Sequence, residues 1–216
     1  GPICQVMDIH RGDRITNLVS MATPSINGLK IAKEMMNVDE FANPDMTITL
    51  MQTHKGKTIL IEHNVYTPRP YDRLFQLTGT EGFANKYPMQ GFTLKGENLP
   101  EGIIPDHENL DYHRFVPEAV RDSLLVAYMH PIAKDIEKKA KQVGGHGGMD
   151  FIMDYRLIYC LRNGLPLDQD VYDAAEWSCL GELTRVSIEN GNKPVEMPDF
   201  TRGDWDKTDG LKLYIK

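Results

Sequence analysis

The sequence lacks several features that would define its class. It has no run of about 18 apolar residues, which a bilayer-spanning helix needs. Its 24 Lys and Arg residues are outnumbered by 31 Asp and Glu residues, and the net charge of -7 is not typical of a nucleic-acid binder. The three cysteines, Cys4, Cys160 and Cys179, are too few and too widely spaced for a disulfide framework or a zinc knuckle. We therefore predict no membrane or nucleic-acid partner and no metal.

Nucleotide-binding motifs are missing as well. Residues 145–147 read Gly-His-Gly, but the third glycine of a dinucleotide fingerprint is replaced by Asp150, and a helical pattern rather than a strand precedes the motif. Residues 56–58 read Gly-Lys-Thr, but Met51 stands where a phosphate-binding loop needs its first glycine. The acidic and histidine residues at 106–113 have neither helical nor hairpin spacing, which favours a solvated loop over a metal site.

The order of the predicted elements indicates an α+β fold. Strand-like segments come first, a helical period begins near Pro117, and this order is typical of an antiparallel sheet followed by helices. We predict one domain over residues 1–216, with an irregular excursion at about 95–116 and a last strand at 211–215. The predicted strands are residues 2–10, 14–22, 45–53, 57–65, 71–78, 83–86 and 90–94, and the predicted helices are residues 24–37, 117–128, 132–143, 149–163 and 170–190.

Two segments stand out as candidate binding residues. Residues 144–148 place His146 between pairs of glycines just before a helix, where a backbone can approach a ligand closely and the helix dipole favours a neutral imidazole. Residues 67–71, Thr-Pro-Arg-Pro-Tyr, can hold Arg69 and Tyr71 at fixed positions, because two prolines stiffen the chain. A turn with a packed histidine, and an edge-strand turn with a half-buried tyrosine, are the alternatives. For His63 and Tyr66 we favour simple packing over function.

Several separated motifs resemble one enzyme family. Residues 144–151 (GGHGGMDF), 167–178 (LDQDVYDAAEWS) and 194–203 (PVEMPDFTRG) are similar to the carboxy-terminal domain of the Gfo/Idh/MocA oxidoreductase family. Residues 1–5 (GPICQ), 11–14 (RGDR) and 68–71 (PRPY) resemble the branch classed as glycoside hydrolase family 109, the NAD-dependent α-N-acetylgalactosaminidases. The motifs occur in the family order, and the resemblance covers nearly the whole chain apart from residues 95–116.

The resemblance implies a fold and a site. The fold is an open, mostly antiparallel sheet with helices on one face, and the NAD-binding Rossmann domain is expected outside this chain. Tyr71 matches the family's substrate-contacting tyrosine after Pro-Arg-Pro. His146 matches the Gly-His-Gly-Gly site loop, and Arg69 is its neighbour in the substrate-binding set. NAD would be bound by the amino-terminal domain, and no catalytic residue of the family is carried by this chain.

The resemblance also implies a chemistry and partners. NAD⁺ takes hydride from the sugar C3, a base removes the C2 proton, the C1 leaving group is eliminated, water adds, and the hydride returns. We expect an N-acetylgalactosamine-containing glycoside as substrate, an inactive isolated chain, and a homo-oligomer formed through the sheet face. The alternatives are the substrate domain of an NAD(P)-dependent sugar or inositol dehydrogenase and a stand-alone sugar-binding or oligomerisation module. The compartment is left open between periplasmic, secreted and cytoplasmic.

Overall fold

The computed structural model describes residues 1–95 and 113–208. Most of the irregular excursion predicted at 95–116, and the strand predicted at 211–215, lie outside these residues. The described residues form two compact units, one made of residues 1–68 and 157–208 and the other of Arg69–Arg156. The single domain over residues 1–216 stays a prediction.

Strands and helices follow one another largely as the sequence predicts. In chain order the described residues contain α1 (Pro2–Val6), β1 (Ile15–Ala22), α2 (Asn27–Met36), β2 (Met46–Thr53), β3 (Thr58–Asn64), β4 (Gln76–Thr78), β5 (Gly82–Asn85), β6 (Gly91–Leu94), α3 (Glu118–Ala127), α4 (Pro131–Val143), α5 (Met149–Asn163), α6 (Val171–Glu189) and β7 (Val195–Glu196).

The first unit is built on a four-stranded antiparallel sheet with the strand order β3-β2-β1-β7. The β2–β3 hairpin is confirmed, and Gly56 in its turn adopts a φ of +82°, a conformation that favours glycine. Because side chains alternate along a strand, Leu18, Met51 and Ile59 share the buried face. Side chains of α1 and α6 pack against this core: Ile3, Cys4, Cys179, Leu180 and Leu183.

The amino-terminal segment differs from its prediction. Residues 2–10 were expected to form a strand, but the chain forms the short helix α1 and then a turn. Pro2 occupies the start of this helix, where its fixed φ is favourable and its missing N–H costs nothing. The helix brings Ile3, Cys4 and Met7 onto the core of the first unit. In so short a segment, a weak alternation of apolar residues does not distinguish a strand from one turn of helix.

The second unit carries a three-stranded antiparallel sheet with the order β4-β5-β6. Val116, Val120 and Leu124, on or just before α3, form its buried cluster, and Phe92 of β6 packs against them. Gly91 is required at the start of β6, because a Cβ there would lie 2.6 Å from the Phe115 ring. The helix α3 agrees with the helix predicted at residues 117–128 from the spacing of apolar residues such as Val120 and Leu124.

One face of the four-stranded sheet is apolar and open among the described residues. Leu50 pairs with Leu60 and Met21 pairs with Ile48, so the four side chains lie on the face opposite to Met51. All four are at least 38% exposed. We call these four residues the open face.

Both sheets are antiparallel, which confirms the α+β class with open antiparallel sheets and helices packed on the core side of the four-stranded sheet. None of the described helices combines the length and the apolar character required to cross a bilayer.

Candidate functional site

The glycine-rich turn before α5 has an unusual backbone. All five residues from Gly144 to Gly148 have positive φ values, including His146 at +47°. A non-glycine residue rarely adopts this conformation, and such residues concentrate at ligand-binding positions. The turn therefore holds the histidine in a backbone geometry that its flanking glycines adopt without strain.

Two of these glycines are also required by close packing. A Cβ on Gly148 would lie 2.7 Å from the carbonyl carbon of Ala140 in α4, so the turn rests directly on helix backbone. A Cβ on Gly145 would lie 2.8 Å from a carboxylate oxygen of Asp150. By contrast, Gly144 and Gly147 have open space around them. The turn is thus fixed on one side and open on the other.

His146 is exposed but its ring is held. Its side chain is 75% exposed, and Nδ1 lies 3.0 Å from Oδ2 of Asp150, in the first turn of α5. Since the carboxylate accepts, Nδ1 is the donor in this bond. Nε2 is then the nitrogen that can bond to a ligand. The role of Asp150 was not predicted from the sequence, although the four-residue spacing from His146 is typical of such a pair.

Tyr71 is likewise exposed and held. It is 67% exposed, and its hydroxyl accepts a hydrogen bond from Nε of Arg73. The Arg73 guanidinium lies 5.6 Å from the Tyr71 ring centroid, and Tyr87 makes an edge-to-face contact with that ring at 5.7 Å between centroids. An exposed aromatic ring with a fixed hydroxyl can stack on a sugar and hydrogen-bond to it.

The other sequence candidates have different surroundings. Arg69 is exposed at the start of the second unit, in the irregular segment that the two prolines predict. Tyr66 packs edge-to-face on Phe41 with 5.6 Å between the ring centroids, as the packing interpretation predicts, and His63 is exposed at the end of β3. Tyr71 and His146 both belong to the second unit, and among its described residues no direct hydrogen bond joins them. Their roles in binding stay predictions.

A buried charged cluster, which the sequence analysis missed, lies in the first unit. Arg11 donates two hydrogen bonds to Asp173 of α6, at 3.0 and 2.8 Å. His10 is bonded to Glu176 through Nε2, and its Nδ1 lies 3.6 Å from Asp173. All four side chains are at least 92% buried. Arg11 lies in a turn, and Asp173 belongs to the capping box that Asp170 forms at the start of α6.

The electrostatics of this cluster follow from burial and pairing. Burial alone lowers the pKa of His10, but the interactions with the Asp173 and Glu176 carboxyl groups outweigh it and raise the pKa to about 9. Burial likewise raises the pKa of Asp173, yet His10 and Arg11 together hold it well below its usual range. The cluster therefore holds a protonated imidazole and a guanidinium beside the ionised Asp173 at neutral pH.

This pairing predicts a pH dependence of stability. A histidine whose pKa is about 9 in the folded protein and about 6.5 when unfolded stabilises the fold fully below pH 6.5. We expect the free energy of unfolding to fall by on the order of 3 kcal/mol as the pH rises from about 6.5 through about 9. Urea unfolding from pH 6 to 10 measures this, and His10→Gln removes that part of the slope. An unchanged slope in this variant would contradict the assignment.

The fit of a cofactor or a metal can be judged from the residues present. The described sheets are antiparallel, and the glycine-rich turn follows helix α4 rather than a strand. A dinucleotide site needs a strand before its glycines, so NAD does not fit here. Within residues 1–95 and 113–208, no three His, Cys, Asp or Glu side chains are grouped as metal ligands would be.

Comparisons with known proteins identify the family. A family model described as "Glycosyl hydrolase 109, C-terminal domain" matches residues 1–207. The chain is 56% identical over 212 residues to Glycosyl hydrolase family 109 protein 1 of Phocaeicola vulgatus, covering 97% of this chain and 45% of that protein. It is 56% identical over 214 residues to a Glycosyl hydrolase family 109 protein of Porphyromonas gingivalis, covering 98% of this chain and 46% of that protein.

A third relative, Glycosyl hydrolase family 109 protein 1 of Bacteroides thetaiotaomicron, is 55% identical over 214 residues, which are 98% of this chain and 46% of that protein. The chain thus spans slightly less than half the length of these relatives. The glycine-rich turn and the Pro-Arg-Pro-Tyr segment both lie within the matched residues. The chain belongs to glycosyl hydrolase family 109, whose C-terminal domain it matches.

Proposed function

We propose that this chain is the substrate-side part of an NAD-dependent glycoside hydrolase that acts on N-acetylgalactosaminides. The observation that carries the proposal is that Tyr71 and His146 are both exposed and yet held, the first by Arg73 and the second by Asp150. Exposed polar groups with fixed geometry bind a ligand without a large ordering cost. The redox chemistry would come from residues outside this chain.

The proposed roles follow from the chemistry of each group. The ring of Tyr71 covers the C–H face of the sugar, and its hydroxyl, which accepts from Arg73, donates its own proton to a sugar oxygen. Nε2 of His146 accepts from a sugar hydroxyl, because Nδ1 already donates to Asp150. These contacts orient the sugar ring and exclude water on one side. They move no proton to or from the reacting carbons.

Exposed apolar residues on α5 support a two-part protein. Met149, Met153, Ile158 and Leu161 are each at least 55% exposed, an uncommon arrangement for a helix of a complete soluble protein. The relatives are about twice as long as this chain. We propose that the remaining part of such a protein covers this helix.

Activity assays test the main proposal. The full gene product should release the aryl alcohol from an aryl α-N-acetylgalactosaminide in the presence of NAD⁺ with no net NADH, and the 216-residue chain alone should release none. Turnover by the chain alone would contradict the proposal. Net accumulation of NADH would favour the sugar dehydrogenase alternative instead.

Tyr71 variants give the second prediction. In the full gene product, Tyr71→Phe should lower kcat/KM about tenfold, because one sugar hydrogen bond is lost, and Tyr71→Ala should lower it about 100-fold, because the stacking surface is lost too. The matched control is Tyr128→Phe, which removes a hydroxyl from another exposed tyrosine of the second unit. Equal rates for Tyr71→Ala and wild type would show that the ring does not contact the sugar.

The open face gives a prediction about assembly. We propose that a second copy of the chain covers it, because two-fold pairing buries the same apolar patch on both subunits at once. Leu50→Glu combined with Leu60→Glu should convert an oligomer to a monomer in light scattering. Val126→Glu, at an equally exposed apolar position of α3, should leave the mass unchanged. A wild-type chain that is monomeric at all concentrations would contradict the proposal.

A further inference from the structure

A group of cationic and aromatic side chains lies beside Tyr71. The backbone N–H of Lys86 donates to the carbonyl of Phe75 at 3.0 Å, which extends the β4–β5 pairing by one step. This bond joins the segment that carries Tyr71 and Arg73 to the segment that carries Lys86 and Tyr87. We call these four residues, Tyr71, Arg73, Lys86 and Tyr87, the aromatic–cationic cluster.

Within this cluster, each cation is placed on a ring. The Arg73 guanidinium is 5.6 Å from the Tyr71 ring centroid, and Nζ of Lys86 is 5.6 Å from that of Tyr87. Both cations are exposed, and across the described residues neither forms an ion pair with a carboxylate. Arg73 uses only Nε, on the Tyr71 hydroxyl, so its two terminal nitrogens keep four N–H donors for a ligand.

Several other exposed basic residues have a different arrangement. Lys33, Arg185 and Lys207 form ion pairs with acids, which are Asp39, Glu182 and Asp204 respectively. The net charge of -7 disfavours anionic ligands in general. Two exposed cations on neighbouring rings nevertheless place positive charge beside Tyr71.

Asp72, the acidic residue between Tyr71 and Arg73 in the sequence, bonds to the backbone of its own turn. Oδ1 of Asp72 accepts from the backbone N–H of Leu74 at 2.6 Å, and Leu74 has a φ of +46°. The carboxylate thus stabilises a left-handed residue, a role that Asp commonly has in turns. The Arg73 side chain contacts the ring and the hydroxyl of Tyr71 rather than the Asp72 carboxylate.

We propose that Arg73 and Lys86 form a subsite for an anionic substituent, a sulfate ester or a carboxylate, on the glycan that Tyr71 contacts. The guanidinium fork matches two oxygens of such a group, and the ammonium adds a second positive charge. This inference rests on the proposed function, because it assigns the substrate class at the same site. It makes the preferred substrate a charged N-acetylgalactosamine glycan rather than a neutral one.

Binding measurements on the full gene product test the subsite. Three probes are compared by titration calorimetry: N-acetylgalactosamine, N-acetylgalactosamine 6-sulfate, and galacturonic acid as the carboxylate. We expect one or both anionic sugars to bind about tenfold more tightly than the neutral sugar at low salt, and this preference to fall at about 0.5 M salt. The two anionic probes distinguish a sulfate from a carboxylate subsite.

Variants locate the preference. Arg73→Gln combined with Lys86→Gln should lower the ratio of anionic to neutral sugar affinity to about one. Arg73→Lys alone should keep only part of the wild-type ratio, because lysine lacks the two parallel N–H donors of the guanidinium group. Arg162→Gln, which removes one positive charge at an exposed position of α5, should leave the ratio unchanged. A ratio that survives the double variant would overturn the subsite.

The outcomes separate this inference from the proposed function. Binding of N-acetylgalactosamine without any preference for the anionic probes would overturn the subsite and leave the proposed function standing. Binding of the anionic probes alone would support the subsite and contradict the proposed neutral-sugar contacts. Binding of no probe would overturn both.

Discussion

Replacing Asp173 with Asn is expected to lower the free energy of unfolding by about 3–5 kcal/mol. The carboxylate receives two hydrogen bonds from Arg11 and is 1% exposed, so its loss leaves a buried guanidinium without its counter-charge. Asn keeps an oxygen that can still accept from the backbone N–H of Asp170, which preserves the capping box. The variant therefore removes the charge with little other change.

Urea unfolding at pH 7 measures this effect. Asp122→Asn is the matched control, because it makes the same substitution in an exposed ion pair with Arg121 and should cost less than about 1 kcal/mol. Equal midpoints for the two variants would show that the buried pair contributes no more than a surface pair. The comparison is informative because α6 and the segment containing Arg11 are joined through this cluster.

Replacing Gly148 with Ala is expected to cost about 3 kcal/mol or more and to weaken sugar binding as well. The new Cβ would lie 2.7 Å from the backbone of Ala140, which cannot move without shifting α4, and the φ of +100° is unfavourable for any residue with a side chain. Relief of the clash requires the turn to move. His146 would move with it.

Gly147→Ala is the matched control for this position. Its φ is +72° and nothing lies within 4 Å of the added Cβ. The free energy of unfolding should therefore fall only by the cost of a left-handed backbone at alanine, about 1–2 kcal/mol. Thermal unfolding and N-acetylgalactosamine affinity are measured for both variants. Equal losses of stability in the two variants would show that contact with α4 does not fix the turn.

The local features of the sequence predicted much of the fold. The β2–β3 hairpin, the helices from α3 to α6 and the capping box at Asp170 are encoded by residues close together in the chain. The positive φ values of the turn before α5 were not predicted, although its glycines are the residues that adopt such values most easily. The prediction of a strand at residues 2–10 was wrong, because the five residues of α1 are too few for apolar periodicity to distinguish a helix from a strand.

The side-chain clusters could not be predicted in the same way. Arg11 and Asp173 are separated by 162 positions, and no local pattern indicates that they meet. The segments that carry Arg73 and Lys86 are joined by the backbone bond from Lys86 to Phe75, next to the β4–β5 pairing. Tyr71 and His146 were candidates from the sequence, and their roles in binding stay predictions. Arg73 and Asp150, which hold their side chains, were identified only from the structure.

The affinity for N-acetylgalactosamine tests most directly whether Tyr71 and His146 belong to one sugar site. The full gene product, Tyr71→Ala and His146→Gln are compared by titration calorimetry, with Tyr128→Phe as the control. We expect the dissociation constant to rise at least about fivefold in each of the first two variants and to stay unchanged in the control. Wild-type affinity in either Tyr71→Ala or His146→Gln would contradict the assignment of these two residues to the sugar site.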